Sequence, residues 1–148
     1  MAASKQATWE GEVMDAAIAN VLDALAREHY ARVHRICCMV TLARSAATAQ
    51  DPSAAMRAAA RAVGLSRQTL HGYALVGRRF TNAEISILLN TPPNSRGGPI
   101  SLSHLEAVAR NTKTTQGLLL QQAIGEGMSA SRLRGAARII RRVSNARG

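Results

Sequence analysis

The chain has 148 residues, 47% of them hydrophobic and only 3% aromatic, with a formal net charge of +10. That length suffices for one sizeable core or two small ones. No apolar run approaches the roughly 18 residues of a membrane span, and the opening MAASKQATWEGEV lacks the apolar centre of a signal peptide, so a cytoplasmic protein is expected.

Abundant alanine, turn residues gathered at a few places and the lack of β-branched alternation predict an all-α fold. Residues 1–50 read as a helical N-terminal segment. From Trp9 to Thr48 the apolar positions Val13, Ala17, Val21, Ala24, Leu25, Ile36 and Val40 recur at spacings of three and four. The polar stretch Arg27 to Arg35 interrupts this stripe and predicts a break near Glu28 to Ala31. Cys37 and Cys38 are adjacent, which implies no disulfide framework. His34 lies about one helical turn before them, but no second Cys/His pair stands at ligand spacing, so they read as helix core, and no metal or other cofactor is expected.

Gln50-Asp51-Pro52-Ser53 reads as a linker and helix start, since proline is tolerated in a first helical turn. The stretch Met56 to Leu75, MRAAARAVGLSRQTLHGYAL, then fits a helix-turn-helix. Ala59 and Ala60 let two helices touch, and Val63, Leu65, Leu70 and Tyr73 supply the apolar junction. Gly64 stands where the first helix must end in a left-handed residue, and Ser66 is a good N-cap for the second. With Leu70 and Tyr73 turned inward, the second helix offers Arg67, Gln68 and His71, with Gly72 and Leu75 beside them, to a major groove.

Thr81 and Glu84 have capping-box spacing before the apolar run Ile85 to Leu89. Thr91 to Pro99 packs three prolines and two glycines into nine residues and predicts a loop. Ser101 or Ser103 caps the next helix, with Leu102, Leu105, Val108 and Ala109 on one face. A polar break follows at Asn111 to Thr115, then a helix over Leu118 to Ile124 ending near Gly125 to Gly127. A last helix capped by Ser129 runs through Leu133, Ala137 and Ile140, and residues 143–148 form a flexible tail.

Charge follows the same division. Residues 1–50 hold five basic and five acidic residues, whereas residues 51–148 hold fourteen basic and four acidic ones, so the whole excess lies with the helix-turn-helix. Seventeen of the nineteen basic residues are arginine, whose planar fork suits phosphates and guanine edges. A polyanion partner follows, and Trp9, Tyr30, Tyr73 and Phe80 are too scattered to stack single-stranded bases, which favours duplex DNA. The bland alternative is a helical adaptor whose basic face meets an acidic protein. Dispersed carboxylates with no nucleophile-base pairing argue against an enzyme, and Gly97-Gly98 follows no strand, so it is a turn and no phosphate cradle.

From Ala59 to about Ile140 the order ARAVGLSRQTLHGYALV, NAEISILLN, ISLSHLEAVAR and AIGEGMSASRLR resembles the central DNA-binding domain of the ParB family of partition proteins and their KorB-like repressor relatives. The resemblance implies a DNA-binding domain over residues 51–142 that acts in plasmid partition or transcriptional repression. It matches Arg67, Gln68, Thr69 and His71, the residues expected at base edges, to the start of the recognition helix, and Ser103, His104, Arg132 and Arg134 to positions near phosphate; Ser66, Arg78, Arg79 and Arg138 are expected as further phosphate contacts. It also implies a ParA-type ATPase as a partner, and because one helix-turn-helix reads only a few base pairs, a homodimer on an inverted repeat is expected. The chain departs from the family in that residues 1–50 carry neither a GERR-like nucleotide motif nor a strand-rich pattern, and only eight residues follow Ile140. With no C-terminal dimerisation domain in view, residues 9–48 are the expected site of self-association, the alternative being a monomer in which this segment folds back onto its own DNA-binding domain.

Overall fold

The computed structural model describes residues 2–91 and 100–147, with side chains from residue 15 onward. Among them are seven helices and no strand: α1 (Ala2–Ala47), α2 (Pro52–Val63), α3 (Arg67–Arg79), α4 (Asn82–Asn90), α5 (Leu102–Val108), α6 (Lys113–Glu126) and α7 (Ala130–Arg147). The all-α expectation therefore holds. Residues 92–99 of the expected proline-rich loop lie outside the described residues. No helix among the described residues is long and apolar enough to cross a membrane.

The chain divides into two units, Met1–Val33 and His34–Gly148. The division falls inside α1, and Val40, Ala43 and Ala46 at the end of that helix are buried with the helices that follow. The expected break near Glu28 is also absent, and α1 is continuous. Polarity on one face does not break a helix that has no proline or glycine there, and the pairs Arg27–Asp23 at 2.9 Å and Arg32–Glu28 at 3.5 Å, each four residues apart, support this stretch. In the first unit Ile18, Val21, Leu22 and Leu25 are all exposed.

In the second unit local chemistry sets the helix ends. Asp51 Oδ1 accepts from the Ala54 amide at 3.2 Å and starts α2, with Pro52 in its first turn. Gly64, at φ 71°, ends α2 in a left-handed turn in which the Leu65 and Gly64 amides donate to the Ala60 and Arg61 carbonyls. Ser66 caps α3, and Thr81 with Glu84 forms the expected reciprocal capping box on α4. Thr112 caps α6, so that helix begins five residues before Leu118, and the polar run read as a break contains its cap and first turn. Residues 143–147, expected to be a loose tail, continue α7 as helix.

Ala43, Ala46, Met56, Ala59, Ala60, Leu70 and Ala74 form one core between the end of α1, α2 and α3. Burying a side chain such as Met56 or Leu70 contributes about 1.5–3 kcal/mol. The short α5 packs against α3, α6 and α7, so one seven-residue helix joins the two halves of the unit. A buried asparagine ties them further. Asn111 Nδ2 donates to the Ala137 carbonyl at 3.2 Å, its Oδ1 accepts from Arg141 at 2.6 Å, and its carbonyl accepts from Arg79 at 2.7 Å and Gln116 at 2.9 Å.

The contact between α1 and α3 needs a glycine. A Cβ on Gly77 would stand 2.9 Å from Val40 Cγ1, and a valine on a helix has little rotamer freedom with which to retreat. Gly77→Ala should therefore destabilise the protein by about 1–3 kcal/mol despite alanine's better helix propensity. Gly135→Ala, in α7 with no atom near the added carbon, should stabilise it by about 0.4–1 kcal/mol. Urea denaturation of the two variants checks both, and equal shifts in either direction would contradict the close approach.

Candidate nucleic-acid interface

The face of α3 that is left uncovered is set by its own period. Leu70, Ala74, Val76 and Gly77 are buried, whereas Arg67, Gln68, His71 and Arg78 are exposed. At about 100° per residue Arg67, His71 and Arg78 fall in one row, with Gln68 and Leu75 beside it. None of Arg67, Gln68, His71 or Arg78 has a side-chain hydrogen bond or ion pair with another described residue. Along this row, Arg67, His71 and Arg78 join Pro52, Ser53 and Met56 of α2 and Ala47 of α1 around a shallow cavity of about 330 Å³. The first turn of α2, where backbone amides point outward, thus borders the basic row of α3.

Several expected site residues stand elsewhere. Thr69 lies round the helix from the row, and its hydroxyl accepts from Ser66 Oγ at 2.8 Å while its amide donates to the same oxygen at 3.1 Å. Both residues therefore serve the helix start, and Thr69 is not presented with Arg67 and His71. Gly72 is partly buried, and a Cβ there would stand 2.5 Å from Glu106 Oε1, so it faces α5 and not the open side. His104 is buried, a correction to its expected place near phosphate. Its Nδ1 accepts from the Ser101 amide at 3.1 Å, and its Nε2 lies 2.8 Å from the Met128 carbonyl, so it caps α5 and ties that helix to the turn before α7. Ser103 is exposed.

The expected basic residues divide in the same way. Arg79 is exposed, but its guanidinium donates to the Asn111 carbonyl, and its own carbonyl accepts from Lys113. On α7, Arg134 and Arg138 are four residues apart on one exposed face, whereas Arg132 points to the other side, 3.9 Å from Glu126. Two residues not singled out from the sequence, Arg57 and Arg61 of α2, line a further open groove with Ala54 and Ala58. Their spacing of four on an amphipathic helix was the available signal.

All four carboxylates of residues 51–148 have structural neighbours. Asp51 caps α2, Glu84 caps α4, Glu126 lies by Arg132, and Glu106 is pressed against Gly72. Hydrogen bonding to the Thr81 amide holds the Glu84 carboxyl below its ordinary range, helped by Lys113. Burial pushes the Glu106 carboxyl above its ordinary range, with the Arg134 guanidinium acting the other way, and burial likewise raises the Tyr73 phenol, with Glu106 adding to it. Cys38 Sγ lies 3.7 Å from His34 Nε2, and burial raises the Cys37 thiol. No group of three or more potential metal ligands occurs among the described residues.

Comparison of the chain with family models, with curated proteins and with solved structures gave no match.

Glu106 makes stability depend on pH in a direction opposite to that of a paired carboxylate. Its folded form holds the proton more tightly than the unfolded chain does, so it subtracts stability as pH rises through the unfolded carboxylate range, and the loss is complete above the raised folded value. Glu106→Gln should raise the melting temperature at neutral pH, and the gain should fade on acidification. A gain that persists unchanged in acid would assign the effect to something other than the charge.

Proposed function

We propose that the second unit binds duplex DNA in a sequence-dependent way, with α3 as the helix that enters the major groove. The observation that carries this reading is the exposed row Arg67, His71 and Arg78 with Gln68 beside it, free of described partners, on a unit whose acidic residues are held at caps and contacts. Arginine pairs with guanine O6 and N7 through two hydrogen bonds, and glutamine does the same with adenine N6 and N7, so Arg67 and Gln68 are suited to base edges. Arg78, the first turn of α2 and Arg57 and Arg61 would then hold phosphates on one side, with Arg134 and Arg138 on α7 as further phosphate contacts. The order of segments resembling the ParB family favours a role in plasmid partition, with a ParA-type ATPase as partner, or in transcriptional repression.

A cognate site recovered by selection from random duplexes allows the test. Arg67→Ala should weaken binding to that site by about 1–3 kcal/mol and relax preference at one base pair, with nonspecific binding nearly intact. Equal weakening on every sequence would move Arg67 to the phosphate contacts, and no weakening would remove α3 from the groove.

The electrostatic contribution is read separately from salt. The logarithm of affinity should fall with the logarithm of salt concentration by about 0.9 per phosphate contact, and replacing Arg134 and Arg138 together by alanine should make that slope shallower by up to about 2. An unchanged slope would assign the α7 face to solvent or to an acidic protein, and a chain that shows no salt-dependent DNA binding at all would overturn the reading.

A further inference from the structure

The first unit is one stretch of helix that carries an exposed apolar stripe. Ile18, Val21, Leu22 and Leu25 are 50%, 58%, 60% and 55% exposed, and with Ala17 the first three line a shallow apolar groove. Their spacing of three, four and seven places them on one face of α1, and a contiguous exposed apolar face of this kind marks an interaction surface. A helical stretch standing alone is also marginal in water, and packing of such a face is what stabilises it.

The pattern of the stripe and of the charges around it identifies the occupant. We infer that this segment of α1 pairs antiparallel with the same segment of a second copy of the chain, through Ile18, Val21, Leu22 and Leu25. The stripe is symmetric about the midpoint between Val21 and Leu22, so an antiparallel partner sets Ile18 level with Leu25 and Val21 level with Leu22. The same register brings residues 8–16, which hold Glu10, Glu12 and Asp15 and no basic residue, level with residues 27–35, which hold Arg27, Arg32 and Arg35 and the single acid Glu28. A parallel pair would instead set each acidic stretch beside its copy and each arginine-rich stretch beside its own, which is unfavourable for close like charges. Asp15 and Glu28 come level in the antiparallel register but lie on opposite flanks of the stripe, and Glu28 is paired with Arg32 in its own helix. This association goes beyond DNA binding and is measured without nucleic acid, so either can fail while the other stands.

Light scattering on the full chain at micromolar concentration should give twice the chain mass, and Val21→Asp with Leu25→Asp should halve it while circular dichroism keeps its helical signal. Direction is tested by single cysteines in a chain carrying Cys37→Ser and Cys38→Ser. Oxidising a mixture of the Ile18→Cys and Leu25→Cys chains should give the mixed disulfide, with little disulfide from either chain alone. A monomeric full chain, or a dimer indifferent to the two aspartates, overturns the pairing. Disulfides formed within each single-cysteine chain, or none in a dimer, overturn the antiparallel register.

Discussion

The placement of α3 depends on how its carbonyl end is held. Arg44, from the last turn of α1, donates from Nε to the Gly77 carbonyl at 2.8 Å and from Nη2 to the Phe80 carbonyl at 3.2 Å and to Asn82 Oδ1 at 3.1 Å. Lys113 donates to the Arg79 carbonyl, lies 3.2 Å from Glu84 Oε2, and sits 4.4 Å from the centre of the Phe80 ring. Two cations therefore satisfy the groups that a helix end leaves unpaired, and they meet the negative end of its dipole. The opposite end carries the Ser66 cap, with Leu70 buried in the core beneath it. The exposed side chains of that first turn, Arg67 and Gln68, lie off this buried face and can differ without disturbing the core.

What could be read from the sequence was whatever a few neighbouring residues decide. Gly64 and Ser66 end one helix and begin the next by conformational and capping chemistry confined to three residues, and Thr81 with Glu84 is legible for the same reason. The inward faces of α2 and α3 followed from period alone. The failures lie where distant segments meet. Nothing near His104 in sequence says that Met128 will accept its hydrogen bond, and nothing near Arg79 announces Asn111. Asn111 stands in a run whose polarity suggests a break, yet as a buried amide it joins α3, α6 and α7. A polar residue at the junction of several helices has no local signature.

The candidate surface was legible as a set of residues but less so as an arrangement. Period placed Arg67, Gln68 and His71 outside, as found, but Thr69 followed the capping serine and left the row. Arg132, Arg134 and Arg138 read as one basic cluster along the chain. On a helix, however, Arg134 and Arg138 share a face that Arg132 does not. The charge imbalance was visible from composition, while its arrangement in space was not: Asp51 and Glu84 sit at caps, Glu126 lies beside Arg132, and Glu106 is held against α3 at Gly72.

The scarcity of lysine acquires a meaning from where Lys113 stands. The chain has two lysines, Lys5 and Lys113, so acylation of side-chain amines reaches almost none of its positive charge. The arginine rows would keep their charge through such a modification. Lys113, by contrast, would lose the charge and the donors that hold the Arg79 carbonyl and Glu84, with the Phe80 ring below it. Amine acylation of this protein would thus spare its basic surface and loosen the helix end on which that surface is mounted.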